Sequence, residues 1–243
     1  MNRRIELLVF LALAVGLFFV PGVSVPLKWF ETLCHESSHA LAAVLTGGTV
    51  DSIELAFDGS GLAWTRGGWG FLIAWAGYAG ALFWGALLYA MGSAMAQGTV
   101  RLVTGLLLFL GLLEAVFWLK LDASSYAIMA VLLTILALML HPRAAKLARP
   151  LLRLIGAFVL VSALVAPSYL LQTDQPNDAA TLAGKTAIPA FVWACGWIGL
   201  GIFTVLALFW VEGKADANEN RRDRFRVAPR RRGWKFWANA RIR

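Results

Sequence analysis

Apolar runs long enough to cross a bilayer recur along this chain from its start to about residue 211. A hydrocarbon layer is about 30 Å thick and a helix rises about 1.5 Å per residue, so about 20 successive apolar residues make one crossing. The chain is 59% hydrophobic and 15% charged, with a mean hydropathy of +0.69, which excludes a soluble globular domain. The expected fold is an all-α polytopic membrane protein with about seven transmembrane helices and one short β-hairpin.

The expected spans are Ile5–Val20, Leu27–Thr46, Trp69–Ala96, Val100–Leu119, Ser124–Leu140, Leu151–Leu171 and Ala187–Val211. The first follows Arg3-Arg4, stops at Pro21-Gly22 and has the look of a signal-peptide core. No small-x-small cleavage site follows it, so it is expected to stay as a span. Gly47-Gly48 ends the second, as glycines past a helix end do. Gly77, Gly80 and Gly85 give the third a small face suited to close helix contact. A polar linker, Gln172–Lys185, precedes the seventh. Between the second and third spans, Ile53, Leu55 and Phe57 alternate with polar or small residues, and Asp58-Gly59-Ser60-Gly61 is a turn signal. Leu62 and Trp64 then alternate again, so Thr49–Arg66 is expected to be a β-hairpin.

The second span carries the residues that can do chemistry. His35, Glu36 and His39 form His-Glu-x-x-His. On a helix, positions i and i+4 lie about 40° apart on one face, so two imidazoles can share one zinc ion. Glu36, beside the first histidine, is placed to act as a base on water. Three ionisable side chains in lipid are costly without such a partner. The motif therefore points to zinc-dependent peptide hydrolysis within the membrane. Cys34 and Cys195 both fall in apolar segments and indicate no disulfide framework. Cys34 is adjacent to His35 and so points about 100° away from it, as a packing residue would.

A catalytic zinc usually takes three protein ligands. The only other histidine, His141, sits at a helix end before Pro142. Four carboxylates remain candidates: Glu114, Asp122, Asp174 and Asp178. Glu114 lies deep in the fourth span, where it would serve as a ligand or as partner to a buried polar group. Asp122 precedes Ser124-Ser125, and Asp178 follows Asn177, so each can equally cap a helix. Spacing does not choose among the four.

The segment Cys34–Leu55 resembles the site-2 protease family of intramembrane zinc metallopeptidases, and more narrowly its compact branch without a PDZ-type domain. The same branch is echoed by Ala76-Gly77-Tyr78-Ala79-Gly80, by Asn177-Asp178-Ala179, and by the run Ala187 to Trp193. The likeness covers about residues 1–211. It implies that His35, His39 and Asp178 are zinc ligands, that Glu36 is the catalytic base, and that a membrane protein or peptide is the substrate. Better-known members carry the ligand in a Leu-Asp-Gly element, which Leu121-Asp122-Ala123 echoes and which keeps Asp122 as the other candidate. Many members also have Gly where this chain has Ser38. A multi-pass protein of the bacterial cytoplasmic membrane is expected, with residues 1–211 as its metallopeptidase domain. Other classes compatible with the motif are a non-proteolytic metal-binding membrane protein and a metal-ion transporter. A transporter would need polar residues recurring through several spans, and only Glu114 offers one. Ligand type favours zinc without excluding another divalent ion.

The whole net charge of +8 lies in the tail. Residues 214–243 carry eleven basic and three acidic side chains, while 1–213 balance at eleven each. Residues 212–243 are expected to be a basic, partly disordered tail. Its Arg residues, interleaved with Phe225, Trp234, Phe236 and Trp237, suit an anionic lipid surface rather than nucleic acid. The excess of basic residues on the cytoplasmic side of membrane proteins places the tail and Arg143–Arg153 there. Seven crossings would then leave Arg3 and Arg4 outside, which conflicts with the same rule.

Overall fold

The computed structural model describes residues 2–20, 22–170 and 177–227. Eight helices and one hairpin follow in chain order: α1 (Arg3–Phe18), α2 (Ser24–Leu45), β1 (Thr49–Leu55), β2 (Gly61–Arg66), α3 (Gly70–Ala94), α4 (Gln97–Phe117), α5 (Ala123–Leu140), α6 (Ala145–Val165), α7 (Asp178–Thr186) and α8 (Ala190–Val227). A short 3-10 turn, Ala166–Ser168, extends α6. Among the described residues, five helices are long and apolar enough to cross a membrane: α3, α4, α5, α6 and α8. Large apolar side chains stand exposed on them, among them Leu102, Val116 and Phe203, as lipid-facing positions require. The protein is therefore an integral membrane protein. The other two expected spans differ from these five. The 16 residues of α1 cover only about 24 Å. Lys28, Glu31 and the motif itself make α2 too polar for an apolar window.

Two further differences follow from local chemistry. The expected linker holds all but the last residue of α7, nine residues started by Asn177, whose side chain accepts from the Ala180 amide at 3.0 Å. It ends at Ala187, which takes the left-handed conformation (φ 58°) before Pro189. In addition, α8 does not stop at Val211 but continues as one helix to Val227. Trp234, Phe236 and Trp237 lie outside the described residues.

The centre of the bundle is the contact between α3 and α6. Glycines let the two backbones meet. A Cβ on Gly156 would stand 2.5 Å from the Tyr89 amide nitrogen, and one on Gly85 would stand 2.9 Å from Leu160. Tyr89, Phe158 and Leu160 are fully buried around this contact. Helix α2 packs on the same α3, antiparallel to it, with Gly77 facing the two histidines and Gly80 facing Ser38. The small face of α3 thus serves two neighbours, α6 and the motif helix.

The hairpin lies along α2. β1 and β2 pair antiparallel, from Thr49 opposite Arg66 to Leu55 opposite Gly61, with a bulge between Val50 and Ser52. At its turn, Asp58 accepts from the Ser60 amide at 2.9 Å, and Gly59 adopts φ +91°. Gly61 is held tightly enough that a Cβ there would stand 2.6 Å from Thr32. The outer edge of β1 is covered. Ile53 exchanges hydrogen bonds with Trp118 and Lys120, the latter at 2.8 Å, and Leu55 N–H donates to Ser125 Oγ at 2.9 Å. The opposite edge belongs to β2.

Adding a side chain at the α3–α6 contact should be costly. Gly156→Leu is expected to destabilise the detergent-solubilised protein by about 1–3 kcal/mol through overpacking. Gly105→Ala, where an added Cβ meets nothing within 4 Å, should be neutral or slightly stabilising. Thermal unfolding of the two variants beside the wild type checks this.

Candidate metal centre

His35 and His39 project from one face of α2, as their spacing requires. Their Nε2 atoms stand 3.0 Å apart, with the rings nearly perpendicular (78°). Asp178, the first residue of α7, brings Oδ2 to 3.1 Å from His35 Nε2 and 3.4 Å from His39 Nε2. Two donors about 2.1 Å from one ion at the tetrahedral angle stand about 3.4 Å apart, so these three atoms match the face of a small coordination shell. Residues His35, His39 and Asp178 can together hold a metal ion.

The surroundings favour that use. The Nδ1 of His39 lies 2.6 Å from the carbonyl of Ile73 in α3. A carbonyl can only accept, so Nδ1 carries the proton and Nε2 presents its lone pair to the centre. His35 packs edge-on against Tyr78 at 4.5 Å, and Tyr78 rests on Trp197 of α8 at 4.9 Å. Trp197 is fixed in turn by its indole N–H, which donates to the Trp75 carbonyl at 3.2 Å. Gly77 closes the cradle: a Cβ there would stand 2.5 Å from both Nε2 atoms. Only a residue without a side chain leaves that volume to an ion.

Glu36 is buried at 5% exposure, one residue from His35, and its carboxylate accepts from the Ala63 N–H of β2. That bond ties the acid to the strand edge. Ala63 is paired with Ile53, whose own N–H and C=O point to Trp118 and Lys120. The N–H of Ala63 therefore points away from β1, as does that of Thr65 two residues on. A cavity of about 470 Å³ joins these parts. His35, Glu36, His39 and Asp178 line it, with Ala63 and Thr65 of β2 as its wall.

The other candidate ligands are elsewhere. Glu114 accepts from Ser37 Oγ at 2.8 Å on a different face of α2, so it partners a partly buried hydroxyl. Asp122 is the N-cap of α5. The Ser124 hydroxyl at 2.6 Å and the Ser125 amide at 2.9 Å donate to it and hold its carboxyl below the usual carboxylate range. His141 caps the far end of α5, and its Nδ1 accepts from the Arg143 amide. Cys34 lines a separate apolar cavity with Ser37 and Glu114. Asp174 lies outside the described residues.

Sequence reasoning missed several contributors. Glu31, one turn before His35, hydrogen-bonds Ser162 of α6 and interacts electrostatically with His35. Its i−4 spacing was the available signal. Ile73, Ala63 and Trp197 act through contacts between distant segments, for which a single sequence holds no sign.

A search of the curated proteins found no match, and a search of the solved structures found none either. The family model described as Peptidase M50B-like matches residues 8–211, which span the motif helix, the hairpin and the helix that delivers Asp178. The chain belongs to the Peptidase M50B-like family, and its family implies a protease.

Proposed function

We propose that this protein is an intramembrane zinc metalloprotease that hydrolyses peptide bonds of membrane-embedded substrates. The observation that carries the reading is the convergence of His35, His39 and Asp178 on one point, with Glu36 beside them at the edge of β2. The donor set of two imidazoles and a carboxylate suits zinc. When bound, zinc supplies the positive charge that makes a water acidic and polarises the scissile carbonyl.

The residues of the chain do the rest. Glu36 takes the proton from the attacking water and returns it to the leaving amine. A structural metal site needs no such base, and here the base is held by a strand-edge amide. The Ile73 carbonyl keeps His39 in the tautomer that points its lone pair inward. Gly77 keeps the space clear, and the stack of His35, Tyr78 and Trp197 fixes the ring of His35.

A transmembrane helix hides its carbonyls in its own hydrogen bonds, so a substrate must unwind before attack. The free edge of β2 can replace the lost bonds by strand addition. Thr65 N–H and the Ala63 carbonyl face that edge, in the same cavity as Glu36. The unwound segment would then lie across the base.

Two outcomes are expected. Glu36→Gln should retain its metal and lose cleavage of a membrane-spanning reporter peptide, whereas His35→Ala should lose the metal. Wild-type turnover by Glu36→Gln would refute the mechanism. Thr65→Pro removes an edge donor without touching the β1 ladder, and proline is tolerated on a free edge. It should leave metal content unchanged and lower cleavage by about 10-fold or more, the scale of one lost buried hydrogen bond. Unchanged kcat/KM would remove the strand edge from substrate binding.

A further inference from the structure

We infer that the chain crosses the membrane six times with both termini in the cytoplasm, and that the metal centre opens on the opposite face. If the protease reading holds, substrates then unwind on the non-cytoplasmic side, and the bond cut lies in the outer part of their span.

The first observation is that α1 begins where α8 leaves the apolar bundle. The Arg3 amide donates to both carboxylate oxygens of Asp216 at 3.1 Å, and its guanidinium donates to Glu219 at 3.2 Å. Arg4 donates to the Phe209 carbonyl at 3.1 Å and fills the space left by the missing side chain of Gly213. An odd number of crossings would put these partners on opposite faces. The same end gathers the end of α3 and the start of α6. Arg149 Nη2 donates to the Ser93 carbonyl at 2.7 Å, and Arg153 pairs with Glu6 at 2.5 Å.

The second observation explains how seven hydrophobic segments make six crossings. Helix α1 is level with Arg153 at Glu6, and its other end packs Phe18 on Phe158 at 6.1 Å. From Glu6 to Phe18 a helix advances about 18 Å, whereas from Arg153 to Phe158 it advances about 7.5 Å. Helix α1 therefore runs obliquely and stops within the bundle. Helix α2 completes the crossing, since Ala43 near its end meets Gly68 just before α3. Together α1 and α2 make one crossing, and α3, α4, α5, α6 and α8 make the other five.

The third observation is charge. Arg3, Arg4, Arg143, Lys146, Arg149 and Arg153 belong to the end that holds the start of α1, and the last stretch of α8, from Arg221 to Val227, continues out of it. At the other end stand Arg66, Lys120 and Lys185, and the first two are paired with Asp51 and Glu54. Lys and Arg near span ends mark the cytoplasmic side. The conflict over Arg3 and Arg4 disappears, because they share that side with the tail.

The fourth is depth. Gly77, against both histidines, is seven residues from the Gly70 end of α3 and seventeen from Ala94, or about 10 Å and about 25 Å. The cavity is lined toward the nearer end by Gly67, Gly70, Thr181 and Lys185. It thus reaches water on the face away from the basic end.

Single cysteines in a Cys34→Ala, Cys195→Ala background test this with a membrane-impermeant maleimide on intact cells. Arg66→Cys should label directly, whereas Asn2→Cys and Lys146→Cys should label only after permeabilisation. The reverse pattern for Arg66→Cys and Lys146→Cys would turn the site to the cytoplasm and overturn the inference. Label on Asn2→Cys from outside, with Lys146→Cys protected, would overturn the six crossings, and equal labelling of all three from both sides would overturn a single orientation. A fluorescent-protein fusion after Arg243, which matures only in the cytoplasm, reads the tail without any substitution in the bundle. It should fluoresce, and a dark fusion would contradict the placement. None of these readouts needs cleavage, so they fail or succeed separately from the protease reading.

Discussion

Two imidazole nitrogens and a carboxylate oxygen stand 3.0, 3.1 and 3.4 Å from one another inside an apolar bundle. Lone pairs brought that close in a medium of low dielectric repel unless a positive charge joins them. The rest of the structure serves this one constraint. Gly77 removes the side chain that would fill the gap, and the Ile73 carbonyl fixes the proton of His39 away from it. The Asn177 cap starts α7 so that Asp178 is its first residue. Each comes from a different element, so the site exists only when α2, α3 and α7 are packed together.

In the proposed mechanism the hairpin links that centre to a substrate. One of its edges is occupied by residues 118–120 and Ser125, which leaves the other to the cavity. The same strand that offers the free edge holds Glu36 through Ala63. On the proposed reading, base and docking edge are therefore one unit, and a shift of β2 would displace both.

Much of this was legible in the residues themselves. The i, i+4 spacing of His35 and His39 specifies a shared face because helix geometry is local. Alternation and the Asp58–Gly61 turn specify the hairpin for the same reason. Asp178 was not legible from spacing: it meets His35 across 143 positions, and four carboxylates satisfied the same chemistry. Resemblance pointed to it, and the structure puts it within reach of both histidines while engaging Glu114 with Ser37 and Asp122 with Ser124 and Ser125. The oblique course of α1 was also hidden. An apolar run of sixteen residues reads as a short span, and only its pairing with α6 and α8 shows where it goes.

The central claim is that Asp178 completes a metal site with His35 and His39. Metal content of the purified wild type, Asp178→Ala and Asp122→Ala, measured side by side by mass spectrometry, tests it most directly. The expected result is about one zinc per chain in the wild type and in Asp122→Ala, with most of it lost in Asp178→Ala. Full zinc in Asp178→Ala, or its loss only in Asp122→Ala, would contradict the assignment.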